Sequence, residues 1–191
     1  ENDLSYGLYI YGNCNISGGK MTATAHADSP YITTACGIFV FGAGGLTISG
    51  GELTASTTGE NGNRFGIDSF YGAVIKDGTV TATGSYAGIF THSRDDGDII
   101  IEGGTVTATS VDEDGYGTNV IIKGGTVAAA AGENGGYGVY AAYGDVAIEG
   151  GTINATGEAG GLASQDGDVT VVSQEGWQIA MTAGVDKDSA A

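Results

Sequence analysis

The stretch IEGGTVTAT, from Ile101 to Thr109, returns almost unchanged twice later in the chain. It reads IKGGTVAAA from Ile122 and IEGGTINAT from Ile148. The second glycine of each copy aligns with glycines elsewhere, which gives a series with spacings of 21 to 32 residues: Gly19, Gly51, Gly78, Gly104, Gly125 and Gly151. A self-similar period of this length is typical of solenoid proteins, in which each repeat forms one turn of a stack.

Residues on both sides of these glycines alternate with a period of two, which predicts β-strands. After the glycines, apolar Val106 and Ala108 alternate with threonines, and before them Ile99 and Ile101 share one face. A third alternating run follows a lone glycine, as in GLYIY from Gly7 and GIFVF from Gly37. Most repeats therefore contain three short strands.

Short strands that cannot bury a face alone become stable when successive coils stack in parallel around one core. We therefore predict an all-β, single-domain, right-handed parallel β-helix of roughly seven coils over residues 1–172. Residues 173–191 are expected to form a degenerate final turn and a tail, and the short coil between Gly104 and Gly125 to merge or skip its third strand. The alternative fold is a β-sandwich, which requires hairpin pairing.

Charged residues two positions before the aligned glycines support the stacking. Lys76, Glu102, Lys123 and Glu149 alternate in sign from one repeat to the next. Parallel strands lie about 4.8 Å apart, so opposite charges on neighbouring rungs are favourable. Lys20 and Glu52 repeat this arrangement one residue after the glycine.

The GGTVTAT coils resemble the glycine- and threonine-rich repeat proteins on the surfaces of gut and other anaerobic bacteria, which are commonly labelled carbohydrate-binding domain proteins. The resemblance covers nearly the whole chain. It implies the fold more strongly than the function, because the repeated residues serve folding. It also supplies no catalytic residues.

Composition excludes several partners. The 191 residues include 37 glycines and carry a formal charge of −17, so the surface repels nucleic acid and anionic lipid. No apolar run is long enough for membrane insertion. The sequence begins at Glu1 without an initiator Met or signal peptide, so we expect an extracellular or cell-surface location reached through an export signal outside this sequence. A disulfide between Cys14 and Cys36 is left open, but two free thiols are the favoured alternative.

Outward positions of the third strand carry aromatic residues. If the first and third residues after the lone glycine point inward, the second and fourth point outward. An exposed apolar patch usually marks a binding surface, and ring faces suit the apolar face of a sugar. The candidate ligand-binding residues are Tyr9, Tyr11, Phe39, Phe41, Phe70, Phe90 and Tyr140. Rings that only stabilise the sheet, or that meet another protein domain, are the alternatives.

Acidic turns precede several second strands, at Asp98, Asp145 and Asp168. Stacked carboxylates could provide the oxygen ligands that calcium requires. Solvated turns are the alternative, since no calcium-binding sequence motif is present. Calcium is the one cofactor that the sequence suggests, and none is required.

A catalytic function is not expected. The nearest candidate is THSRDDGD, which places His92, Arg94, Asp95 and Asp96 beside Asp68 at the end of an aromatic strand. Polysaccharide lyases and hydrolases need such groups, but six basic residues leave little to neutralise an acidic sugar. We therefore expect a non-catalytic, adhesin-like module that binds carbohydrate or a host or cell-surface glycan. A structural stalk that contacts other protein domains is the alternative, and a polysaccharide-degrading enzyme is less favoured.

Overall fold

A computed structural model describes residues 3–91, 97–110, 119–132, 137–141, 144–172, 175–176 and 178–183. Within these ranges the chain forms strands and turns but no helix, and therefore no helix that could span a membrane. In chain order the strands are β1 (Asp3–Ile10), β2 (Cys14–Ile16), β3 (Lys20–Ala27), β4 (Ile32–Val40), β5 (Leu46–Gly59), β6 (Asn63–Ser69), β7 (Ala73–Thr83), β8 (Ala87–Thr91), β9 (Ile99–Ile101), β10 (Thr105–Thr109), β11 (Val120–Ile122), β12 (Thr126–Ala130), β13 (Tyr137–Ala141), β14 (Val146–Ile148), β15 (Thr152–Gly157), β16 (Gly160–Ser164), β17 (Val169–Val171) and β18 (Gln178–Ala183).

The strands pair in parallel and form three walls around about six turns, which confirms the predicted parallel β-helix. The isoleucine wall contains β2, the first parts of β5 and β7, and β9, β11, β14 and β17. The threonine wall contains β3, the later parts of β5 and β7, and β10, β12, β15 and β18. The aromatic wall contains β1, β4, β6 and β8, followed by the separate pair β13 and β16.

The core is one continuous column of aliphatic side chains inside the three walls. On the isoleucine wall, Ile75, Ile101, Ile122 and Ile148 occupy equivalent positions on successive rungs. These side chains are almost fully buried, and they pack with the inward valines and alanines of the threonine wall. No repeat could bury its apolar residues alone, so the stack provides the stability.

Gly104 explains the repeated glycine pair. Its backbone has φ of +78°, a conformation that side chains rarely adopt. A Cβ at this position would also lie 2.5 Å from the carbonyl oxygen of Gly78 on the preceding rung. The corner between the isoleucine and threonine walls therefore requires glycine for two separate reasons.

The close packing around Gly37 explains why the third strand of a coil contains a lone glycine. A Cβ there would lie 2.5 Å from the backbone nitrogen of Ser56 on the threonine wall. The alternation of side chains changes phase at this close contact. Cys36 and Phe39 therefore both belong to a cluster outside the core, whereas Ile38 points into the core.

The stack extends beyond residue 172, because β18 pairs in register with β15. Ile179 packs against the core, but Met181 is 51 % exposed and Val169 is 46 % exposed, so the described residues leave this end of the core partly open. Trp177 and residues 111–118, where the short coil was expected to lose its third strand, lie outside the described residues.

The charged residues occupy the rungs that the sequence predicts. Lys20 and Glu52 are in register and form an ion pair of 2.6 Å between Nζ and Oε1. The backbone nitrogens of Glu102, Lys123 and Glu149 each donate to a carbonyl of the preceding rung, so these three residues stack above Lys76. Their side chains are exposed, and no ion pair within 4.0 Å joins the members of this ladder.

Candidate functional site

The aromatic wall brings most of the predicted ligand-binding residues together near the beginning of the chain. Tyr9 of β1 is in register with Phe39 of β4, and Phe39 is in register with Asp68 of β6. Tyr11, Phe41 and Phe70 follow the ends of the same three strands. The parallel register therefore places Tyr9 and Phe39 on two successive turns of one column, and Tyr11, Phe41 and Phe70 on three successive turns of the adjoining column.

The rings in these columns stack along the solenoid axis. Tyr9 and Phe39 have centroids 5.2 Å apart with an interplanar angle of 18°, and Tyr11 and Phe41 lie 5.4 Å apart at 30°. Phe41 also contacts Phe70 at 4.9 Å. Ring centroids at these separations are typical of stabilising aromatic pairs.

Two rings of this surface were missed in the sequence. Tyr6 contacts Tyr9 at 5.0 Å and Phe39 at 5.3 Å, and Tyr71 contacts Phe41 at 5.9 Å. Strict alternation assigns Tyr6 to the inner face, but the phase change at the following glycine turns it outward. We call the resulting surface the aromatic patch, defined by Tyr6, Tyr9, Tyr11, Phe39, Phe41, Phe70 and Tyr71.

The aromatic patch is only partly exposed. Tyr9 is 49 % exposed and Tyr11 is 79 % exposed, whereas Phe39, Phe41 and Phe70 are half-buried. Contacts between the rings cover part of each ring, and Tyr9 and Tyr11 are the two most exposed residues of the aromatic patch. A planar, apolar ligand would contact these two rings first.

Phe90 does not belong to the exposed surface, which corrects the sequence prediction. It is 7 % exposed and packs against Phe65 at 4.9 Å, in a cluster that also contains Cys36 and Ala87. Phe65 precedes a lone glycine, so the same phase change turns it outward beside Phe90. The outward direction of Phe90 was predicted correctly, but its exposure was not.

Asp68 lies within this buried cluster and is 1 % exposed. The Cys36 thiol donates a hydrogen bond to Asp68 Oδ2 at 3.8 Å. Burial raises the pKa of Cys36 above its ordinary value, and the charge and the hydrogen bond of Asp68 raise it further. Cys14 faces the solenoid core instead, and both cysteines are free thiols, so the open question of a disulfide is resolved.

Tyr140 lies apart from the aromatic patch. It belongs to β13, which pairs with β16 in a separate two-stranded sheet. Its side chain is half-buried, and its hydroxyl donates to Gln165 Oε1 at 2.5 Å. The seven predicted ligand-binding residues therefore do not form one continuous platform.

The acidic turns stack in a turn column that includes Asn119, a residue the sequence analysis missed. Asn119 lies on the rung between Asp98 and Asp145. Its side-chain nitrogen donates to Asp98 Oδ1 at 2.8 Å, and its Oδ1 accepts from the backbone nitrogen of Asp145 at 2.8 Å. Asp145 Oδ1 accepts in the same way from Asp168. In the described part of the chain, no three acidic, histidine or cysteine side chains gather into a potential metal site.

The possible catalytic residues cannot be placed together. His92, Arg94, Asp95 and Asp96 lie outside the described residues. Asp68 was expected about one rung away from them, and it is buried among rings and next to the Cys36 thiol. A carboxyl group with so little contact with solvent is poorly placed to protonate a glycosidic oxygen.

The comparisons with known proteins support the fold. The family model described as beta helix repeat matches residues 46–70, 74–89, 99–118 and 146–164, together less than half of the chain. Three of the four matched segments begin at the first residue of a strand of the isoleucine wall. The family model and the structure therefore divide the chain at similar places. Neither the curated proteins nor the solved structures gave a match. The chain is a parallel β-helix repeat protein.

Proposed function

We propose that the chain is a non-catalytic, extracellular module of a bacterial surface protein and that it binds carbohydrate through the aromatic patch. The observation that carries the proposal is the contiguous group of seven rings on three turns, with Tyr9 and Tyr11 the most exposed. Soluble proteins rarely expose such a group unless it contacts a ligand or a partner. The apolar face of a pyranose ring fits against a tyrosine ring.

The charge of the chain favours neutral glycans. A formal charge of −17 repels polyuronates and sialylated or sulfated sugars over distances of about a Debye length. The seven residues of the aromatic patch are all tyrosine or phenylalanine, so the patch itself carries no positive charge that could compensate for this repulsion. We therefore expect affinity for neutral polysaccharides, with multiple weak contacts along an extended chain.

A glycan array with a Tyr9→Ala/Tyr11→Ala double variant tests the proposal. Each ring removed should weaken binding by about tenfold, which is usual for a tyrosine at the centre of an interface. Tyr31→Ala is the matched control, because Tyr31 is 67 % exposed but lies outside the aromatic patch. Binding that survives the double variant, or that is lost equally in the control, would contradict the proposal.

The same array in calcium and in chelator tests the possible cofactor. The carboxylates of Asp98 and Asp145 already accept hydrogen bonds within this column of turns, so we expect equal binding in both conditions. Glycan binding that requires calcium, and that is abolished by Asp145→Asn, would assign a metal site to the turn column.

A structural spacer is the second candidate function. It is favoured by the stacking of the rings on one another and by the burial of Phe90, since both stabilise the wall without a ligand. Interfaces between proteins are also rich in tyrosine and phenylalanine. Absence of glycan binding by a folded protein would favour this candidate.

A further inference from the structure

The isoleucine wall carries an apolar stripe on its outer side. The stripe is formed by the middle residues of β9, β11 and β14 and of the first part of β7, and the register places these residues on four successive rungs: Val74, Ile100, Ile121 and Ala147. All four side chains point away from the core and are half-exposed. The stripe is bordered on one side by the ladder of Lys76, Glu102, Lys123 and Glu149.

The order of charges in this ladder is complementary to itself when reversed. If a second copy faces the wall with its solenoid axis reversed, the order Lys, Glu, Lys, Glu meets the order Glu, Lys, Glu, Lys. Lys76 then lies opposite Glu149 of the second copy, and Glu102 lies opposite Lys123. Every ladder residue faces an opposite charge, which favours this orientation over others.

The other two columns of the wall fit the same arrangement. In the apolar stripe Ile100 faces Ile121, and Val74 faces the smaller Ala147. In the turn column Asp98 faces Asn119, so no carboxylate lies opposite another carboxylate on the four central rungs. A two-fold axis parallel to the strands, between the rungs of Ile100 and Ile121, generates all of these pairs, as an isologous interface requires.

We propose that two copies of the chain associate through the isoleucine wall in this antiparallel orientation. The ladder side chains are exposed and form no ion pair with one another in the described structure, so they are free to pair across an interface. The wall also holds two of the six basic residues of a chain with a charge of −17, and these two lysines balance the charge of Glu102 and Glu149 within the ladder. Six rungs of about 4.8 Å and five residues of width bury roughly 1,000 Å² in total, which is the size of a weak or transient interface.

Charge-swap variants measured by sedimentation equilibrium test the proposal. Glu102→Lys places two lysines opposite each other, and Lys123→Glu places two glutamates opposite each other, so each should weaken the dimer by about tenfold or more. The two substitutions change the net charge in opposite directions, so an effect of net charge alone would strengthen one dimer and weaken the other. Ile100→Lys should abolish association, while Thr81→Lys on the threonine wall should leave it unchanged.

The double variant Glu102→Lys/Lys123→Glu separates the interface from contacts within one chain. Its ladder reads Lys, Lys, Glu, Glu, which is again complementary when reversed, so the dimer should regain most of its affinity. Within a single chain the same ladder places like charges on neighbouring rungs, which would be worse than the natural order. A monomeric wild-type protein, single variants with unchanged affinity, or a double variant that fails to recover would each overturn the proposal; circular dichroism confirms that every variant is folded.

Discussion

The Cys36 thiol lies in the cluster outside the core, where burial and the neighbouring Asp68 raise its pKa. The unfolded chain releases this proton near pH 8.5, well before the folded protein does. Stability from this group is therefore complete below about pH 8.5 and is lost as the pH rises further. The free energy of unfolding should fall by up to about 1.4 kcal/mol per pH unit for this one proton.

Denaturant unfolding of the wild type and Cys36→Ser between pH 7 and pH 10.5 measures this effect. Serine keeps a donor for Asp68 but does not titrate in this range, so the variant should lose stability with a shallower slope. Cys14 is present in both proteins and cancels in the comparison. Parallel slopes would show that the Cys36 proton is not held more tightly in the folded protein.

The surroundings of Cys36 could not be predicted from the sequence. Strict alternation places Cys36 and Phe65 on the inner face. The close backbone contacts at Gly37 and Gly66 change the phase of the alternation, and the only sign of this change in the sequence is the glycine itself. The outward direction of Tyr9, Tyr11, Phe39 and Phe41 could be predicted, since these residues follow the glycine and keep the regular alternation. The burial of Phe90 depends on rings from neighbouring rungs, which only the register brings together.

At the scale of an element, the corner made by the glycine pair combines two constraints, a positive φ and a lack of space for a Cβ atom. Alanine substitutions can separate the two. Gly18→Ala should change stability little, because its φ is not positive and no atom lies within 4 Å of a Cβ. Gly19→Ala introduces only the strain of a positive φ of 80°, which costs about 1–3 kcal/mol. Gly104→Ala adds a backbone clash and should be the most destabilising of the three.

Denaturant midpoints of these three variants give the order of the two effects. Equal destabilisation by Gly19→Ala and Gly104→Ala would show that strain alone accounts for the corner.

The strands and corners were predicted from the sequence because their signal repeats in every coil. The lengths of β5 and β7, which run through the corner into a second wall, were not predicted, since the turn there keeps enough hydrogen bonding to continue each strand.

At the scale of the whole molecule, the in-register stack determines where every proposed site lies. The aromatic patch needs Tyr9 and Phe39 on neighbouring rungs, and the self-complementary ladder needs Lys76 and Glu149 three rungs apart. The sequence predicted this stack because polar, apolar and charged columns all repeat with the same period. It could not predict that Tyr140 lies apart from the other rings, because that separation arises where the aromatic wall is divided into two sheets.

The distance between two spin labels on the threonine wall tests the stack most directly. Thr22 and Asn154 occupy the same outward column, with Thr54, Thr81, Thr107 and Ala128 between them. Five rungs of about 4.8 Å predict a separation of roughly 24 Å between labelled Thr22→Cys and Asn154→Cys, with Cys14 and Cys36 replaced by serine. The pair Thr54→Cys and Ala180→Cys, also five rungs apart, should give the same distance. Two narrow distributions near this value would support the account, whereas two clearly different distances would contradict it.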